Sequence, residues 1–124
     1  MNFSRFLVLL LLLTTASSCE EDSIACTMEF RTVTVMVTGP ALTSYYTFRP
    51  ATGDTIRISQ ENVGGQAGVY PILDDSYQMV LEGRTENFIF RGFINDSLVV
   101  NESYGISADE CHISYVSGNL NVTL

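Results

Sequence analysis

Short segments in which apolar and polar side chains alternate are the feature that most restricts how this chain can fold. Val33, Val35 and Val37 alternate with Thr34 and Met36, which is the period of two expected of a half-buried β-strand. Comparable segments recur about every 8–12 residues with turn-forming residues between them. No stretch shows the i, i+3, i+4, i+7 spacing of an amphipathic helix. The pattern predicts an all-β sandwich of about seven to eight strands, with an open Greek key of similar strand spacing as the alternative.

Ten segments are predicted to be extended. They are 26–38, 42–48, 55–59, 69–73, 77–81, 87–94, 98–100, 104–106, 111–116 and 120–124. Pro71 places its strand at a sheet edge or a bulge. The apolar Phe30 is out of phase with the valines that follow, which predicts either a bulge near residues 31–32 or a strand that switches between sheets. Residues 95–97 are predicted to turn, and residues 117–119 to join the last two strands tightly.

The first residues have the order of a secretion signal. Arg5 precedes an apolar run over residues 6–13 and small residues over 14–18. That run is far shorter than the roughly 20 apolar residues of a transmembrane helix. We therefore expect residues 1–18 to be a signal peptide, 19–25 an acidic tether and 26–124 the folded domain.

The end of this signal is similar to a known processing site. Ala16-Ser17-Ser18-Cys19 resembles the lipobox of bacterial lipoproteins, with Ala16 where the family usually has leucine. The resemblance implies a membrane anchor through palmitate and related acyl chains on Cys19; the alternative is an ordinary signal peptide cut after Ser18. The acidic residues 20–22 resemble the tether that directs lipoproteins of the Bacteroides–Flavobacterium group to the cell surface. They imply attachment to the outer membrane, with surface or periplasmic orientation left open.

Cysteine usage and charge agree with a protein outside the cytoplasm. If Cys19 carries lipid, Cys26 and Cys111 remain, and in an oxidising compartment such a pair is expected to form a disulfide bond. The chain has a formal net charge of −8, and all of its basic residues are arginines. Because so acidic a surface repels phosphates, nucleic acid is excluded as a partner.

Several short motifs carry a resemblance at the level of the domain. They are Thr32–Val35, Gly68–Tyr70, Ala108–Ile113 and Ser117–Gly118. They are similar to small Bacteroidota lipoproteins with an Ig-like sandwich of the transthyretin-like, or carboxypeptidase-regulatory-like, type. Such modules are generally non-catalytic, so the resemblance implies a binding or structural domain and no enzyme activity.

His112, the sole histidine, is the residue on which a different function would depend. With Cys26, Cys111 and Met28 it has the ligand types of a copper site, and a Ser–His–acid triad would also have to use it. However, neighbours on a strand point to opposite faces, which separates Cys111 from His112. We expect a half-exposed histidine beside a structural disulfide; a small metal-handling or hydrolytic envelope protein is the alternative.

Turns and tyrosines supply the remaining candidates. Asp74, Asp75 and Asp96 could offer oxygen ligands to calcium from neighbouring turns. Of the six tyrosines, Tyr45 and Tyr104 are the candidate ligand-contacting residues, since aromatic rings can form a stacking platform; core packing is the alternative role. We predict no catalytic residue, metal or cofactor. The expected partners are the membrane, through Cys19, and an extracellular protein or glycan ligand.

Overall fold

The alternating segments form eight strands in the computed structural model, which describes residues 25–124. They are β1 (Thr32–Thr38), β2 (Ser44–Arg49), β3 (Asp54–Ile56), β4 (Val69–Asp74), β5 (Thr85–Ile94), β6 (Ser97–Ala108), β7 (Ile113–Ser117) and β8 (Asn121–Thr123). One helical turn, α1 (Gln78–Leu81), and two 3-10 turns, Gln60–Val63 and Asp75–Tyr77, lie between them. No helix within residues 25–124 is long and apolar enough to cross a membrane.

The strands form two sheets, and the predicted all-β sandwich is confirmed. One sheet has three strands in the order β4-β1-β8, and the other has five in the order β3-β2-β5-β6-β7. Neighbouring strands are antiparallel except β1 and β8, which are parallel. Since β4 lies at the edge of its sheet, the position predicted for Pro71 is also confirmed.

Both sheets contribute side chains to one core. The predicted inward valines of β1 are buried, and Val35 is fully so. Ile72 and Leu73 of β4 join them from the same sheet, and Phe88 and Phe90 of β5 come from the other. In β1 and β5 the alternation leaves the neighbouring side chains on the outer face, whereas β4 is buried from Tyr70 to Asp74.

The longest hairpin is closed by the turn predicted from its residue types. Ile94 pairs with Ser97, which leaves Asn95 and Asp96 as a two-residue connection. Their φ angles are 46° and 66°, as a type I′ turn requires, and asparagine and aspartate tolerate such angles better than most residues. The strand after it runs without interruption to Ala108, whereas two separate short strands were expected there.

Two segments predicted as strands are not extended over the predicted range, because aspartate side chains accept hydrogen bonds from their backbone N–H groups. β1 begins at Thr32 rather than Cys26, and Asp75 binds the backbone N–H of Arg31 instead. The register shift lies between Val33 and Thr34, not at residues 31–32. The strand predicted over 77–81 is wrong, because the side chain of Asp74 accepts from the N–H of Ser76 and starts a helical turn.

The last two strands are joined tightly, by residues 118–120, but they do not form a hairpin. β7 belongs to the five-stranded sheet, while β8 crosses to the other sheet and pairs with β1. The buried hydroxyl of Tyr104 donates to the carbonyl of Asn119 and holds this crossing. Gly118 is needed there, because its φ is +116° and a Cβ would lie 2.5 Å from the Tyr104 ring.

Candidate functional site

His112 is buried, and both of its ring nitrogens have partners. Its side chain is 7% exposed, so the prediction of a half-exposed ring is wrong. Nδ1 lies 2.7 Å from Asp75 Oδ2, and Nε2 lies 2.8 Å from Thr27 Oγ1. The three side chains form a hydroxyl–imidazole–carboxylate sequence that joins the segment before β1 to the start of β7.

Asp75 is the centre of this network. Besides the imidazole, it accepts from the backbone N–H groups of Arg31 at 2.7 Å and Ile113 at 2.8 Å. Burial alone would raise the pKa of the Asp75 carboxyl, but these hydrogen bonds and the one to His112 outweigh burial and hold the pKa below its usual range. The carboxylate is therefore charged at neutral pH and accepts from the Nδ1–H of His112.

The predicted disulfide between Cys26 and Cys111 is confirmed, and it lies directly beside this network. Asp109 orders the loop before β7 by accepting from the N–H groups of Cys111 and His112, each at 2.8 Å. These hydrogen bonds explain why β7 begins at Ile113 and not at Cys111. We call Cys26, Thr27, Asp75, Cys111 and His112 the amino-terminal clasp.

The clasp does not provide the copper ligands considered from the sequence. Both thiols are used in the disulfide, and Met28 lies fully exposed. Within residues 25–124, no group of three or more histidine, cysteine, aspartate or glutamate side chains is arranged to hold a metal ion. Of the candidate calcium ligands, Asp74 accepts from the N–H of Ser76 and Asp75 accepts from His112 within the clasp. Asp96 lies in the β5–β6 turn.

The two candidate tyrosines both serve the core. Tyr104 has no exposed surface, so it is placed inside the sandwich and not at a binding surface. Burial raises the pKa of its hydroxyl group. Tyr45 is partly exposed, but its hydroxyl donates to the carbonyl of Ile58 at 2.7 Å and its ring packs against Tyr70 and Phe90. Core packing, the alternative role, describes both residues.

Tyr46, beside Tyr45 in the sequence, lies on the opposite, outer face of the five-stranded sheet. Its ring stacks on Phe93 with the centroids 5.7 Å apart. The guanidinium carbons of Arg57 and Arg91 lie 5.4 Å and 6.0 Å from the Tyr46 centroid, and that of Arg91 lies 4.9 Å from the centroid of Phe48. We call Tyr46, Phe48, Arg57, Arg91 and Phe93 the aromatic–arginine face.

The two arginines of this face differ from the others that the structure describes. Arg31, Arg49 and Arg84 each lie within 4 Å of a carboxylate. Among residues 25–124, Arg57 and Arg91 have no such partner and contact aromatic rings instead. The face therefore presents two cationic groups whose charges no side chain of the described domain neutralises.

The face could have been found from the alternation of β2 and β5. Both strands place aromatic rings on both sides. In β5, Phe88 and Phe90 point inward and Phe93 points outward; in β2, Tyr45 points inward and Tyr46 points outward. A strand that needs only one buried face does not require rings on its other face. The available signal was this excess of rings, together with Arg57, which follows the inward Ile56 at the end of β3.

A separate open cleft lies between the start of β1 and β7. It has a volume of about 520 Å³ and is lined partly by Phe30, Tyr115 and Leu120. Phe30 is 63% exposed there. Neither Thr27 nor His112 lines this cleft, so the hydrogen-bonded hydroxyl of the clasp does not face it.

No protein-family model matches this chain, and neither the curated proteins nor the solved structures contain a match.

Proposed function

We propose that this chain is a lipid-anchored lipoprotein of the cell envelope whose β-sandwich is a non-catalytic binding module. In this proposal residues 1–18 are removed, Cys19 is acylated and the domain is displayed from the outer membrane on residues 19–25. The transthyretin-like resemblance of the sandwich belongs to the same proposal. The observation that carries the binding role is the aromatic–arginine face.

Two properties of that face support binding. Tyr46, Phe48 and Phe93 lie on the side of the sheet that faces away from the core, and all three rings remain partly exposed. Arg57 and Arg91 have no carboxylate partner in the described domain, so that, apart from the contact of Arg91 Nη1 with the Tyr46 hydroxyl, their N–H groups are available to a ligand. Exposed rings beside available arginines are enriched where proteins recognise partners.

The amino-terminal clasp supports the anchoring role. Cys26 follows the proposed tether directly, and it is joined to Cys111 across a sequence separation of 85 residues. The next residue, Thr27, is held by His112. A force applied through the tether would therefore reach the β6–β7 loop before it could pull β1 out of its sheet.

Binding is tested by exposing an array of immobilised glycans and peptides to the full chain. We expect retention on at least one ligand, loss of that retention in Arg57→Gln/Arg91→Gln, and no loss in Arg84→Gln, which removes an exposed arginine elsewhere. Retention that is unchanged in the double variant, or no retention on any ligand, would contradict a binding role for this face.

The lipid anchor is tested separately. In fractionated cells, Cys19→Ala should move the protein from membranes to the soluble fraction.

A hydrolytic protein is the second candidate, and one observation favours it. Thr27, His112 and Asp75 have the hydrogen-bond order of a nucleophile, a general base and an orienting acid. If this order is catalytic, a fluorophosphonate should label the Thr27 hydroxyl, and Thr27→Val or His112→Gln should abolish the labelling. If the clasp is structural, the wild-type chain should show no more labelling than Thr27→Val.

A further inference from the structure

The polar and aromatic groups of the aromatic–arginine face form a row across the strands. Tyr46 pairs with Arg91, and Arg91 pairs with Asn101 on the next strand. Arg57 lies on the other side of Tyr46, one residue after β3. Because neighbouring strands are about 4.8 Å apart, the backbones that carry the two arginines are separated by roughly 10 Å. The guanidinium carbons lie 5.4 Å and 6.0 Å from the Tyr46 centroid and are therefore at most 11.4 Å apart, a distance that two units of a polysaccharide chain can span.

The arginines are positioned to bind carboxylates. Aromatic rings hold both guanidinium groups, and Arg91 Nη1 also lies 3.5 Å from the Tyr46 hydroxyl. A guanidinium group stacked on a ring is fixed in orientation and keeps its N–H edge available for a two-point contact with a carboxylate. The face is therefore complementary to an anion that carries a carboxylate opposite each arginine.

The charge of the whole chain limits how densely charged this anion can be. At a formal net charge of −8, the protein repels polyanions such as nucleic acids at long range. Attraction is confined to the positions of Arg57 and Arg91. A polymer with one carboxylate on every second unit has a low charge density, which limits the long-range repulsion. It can still place one carboxylate opposite each arginine.

The rest of the face favours a sugar chain over a peptide. β2 and β5 are paired on both sides, and the open edge beside Arg57 belongs to β3, which is only three residues long, so little backbone is available here for a peptide to pair with. The exposed rings can stack on the apolar faces of sugars. Asn87, Asn101 and Ser103 are exposed and share this outer face by register, so that they can bind sugar hydroxyl groups.

We propose that the aromatic–arginine face binds an acidic polysaccharide in which uronate units alternate with neutral sugars. This assignment rests on the proposed binding function and names the ligand class for the same face. Each of Arg57 and Arg91 contacts one carboxylate, Tyr46 lies under the neutral sugar between them, and the amides of β5 and β6 contact hydroxyl groups.

The test measures binding of the full chain to four probes by calorimetry. They are a glucuronate–N-acetylglucosamine polymer, the same polymer with its carboxylates reduced to alcohols, a neutral chitin oligosaccharide and polyglutamate. We expect binding only to the first probe. Arg57→Gln and Arg91→Gln should each weaken it at least about tenfold, since each removes a charge-assisted contact, and Arg84→Gln should leave it unchanged.

The possible failures separate this assignment from the binding function itself. If the carboxyl-reduced polymer or chitin binds as tightly as the acidic polymer, and the arginine variants lose this binding, the face binds glycans but the requirement for carboxylates is wrong. Tighter binding of polyglutamate, or self-association that Arg91→Gln abolishes, would replace the glycan with a protein partner. Binding that neither arginine affects, or no binding to any probe, would overturn the ligand class, and the array experiment above would then decide whether the face binds at all.

Discussion

The ion pair between Arg49 and Glu86 gives the sharpest prediction about what holds the sandwich together. Arg49 Nε lies 2.5 Å from Oε1 of Glu86 and Nη2 lies 3.1 Å from Oε2, in a two-point contact between β2 and β5. The two side chains are only 11% and 13% exposed. Their charges are therefore largely removed from water, and each depends on the other.

We predict that Arg49→Met destabilises the domain by about 3–5 kcal/mol, the usual cost of leaving one buried charge without its partner. This would be a large part of the roughly 5–15 kcal/mol that stabilises a typical domain. The double substitution Arg49→Met/Glu86→Leu should recover most of the loss, because it leaves no unpaired charge. The free energies of unfolding come from urea denaturation monitored by circular dichroism. Arg31→Met, a control whose exposed ion pair is with Glu29 and not Glu86, should change stability by less than about 0.5 kcal/mol.

Acid should weaken the wild-type domain through the same pair. The hydrogen bond from Arg49, opposed in part by burial, holds the pKa of Glu86 below its usual range. A folded-state pKa below the unfolded one gives stability that is complete above the unfolded pKa and is lost as the pH falls through the folded pKa. The double variant should lose less stability in that range. A cost below about 1 kcal/mol for Arg49→Met, or a double variant no more stable than the single one, would refute this reasoning.

Three further predictions concern the clasp and the sheet crossing. Replacing Cys26 and Cys111 together by serine should lower the free energy of unfolding by about 4–5 kcal/mol, because the bond closes a long loop; denaturation curves that coincide with wild type would contradict this. Gly118→Ala should cost more than about 1 kcal/mol, since its φ is positive and the Tyr104 ring is close; a thermal shift of zero would show that the crossing tolerates a side chain. Asp75→Asn should lower the free energy of unfolding by about 1–3 kcal/mol at pH 7, where the depressed pKa keeps the wild-type carboxylate charged. The difference in free energy between the variant and wild type should become smaller as the pH falls through that pKa; parallel stability–pH curves would exclude the proposed role of this carboxylate.

The sequence predicted best what depends on local patterns. Alternating valines fixed which side of β1 is buried, and the residue types at Asn95-Asp96 identified the hairpin turn. The disulfide could be predicted because two cysteines remained for an oxidising compartment. One kind of error occurred where a side chain from a distant element binds the backbone, as Asp75 does at Arg31 and Ile113, since such contacts leave no periodic signal. The helical turn after β4 was missed for a local reason, the bond from the N–H of Ser76 to Asp74.

The candidate sites were harder to predict for a related reason. Tyr45 and Tyr46 are neighbours on one strand and therefore face opposite sides, but the sequence does not state which side a partner sheet covers; the structure places Tyr45 at the core. Nor does the sequence show that Arg57, Tyr46 and Arg91 stand in one row, because β2, β5 and the end of β3 bring them together.

The most direct test of a lipid-anchored, disulfide-linked module is the intact mass of the full chain after extraction from bacterial membranes, with and without reductant. We predict the mass of residues 19–124 plus acyl groups, increased by two hydrogen atoms when the Cys26–Cys111 bond is reduced. A mass that still includes residues 1–18, or one without acyl groups, would contradict the anchor. A mass that does not change on reduction would contradict the disulfide.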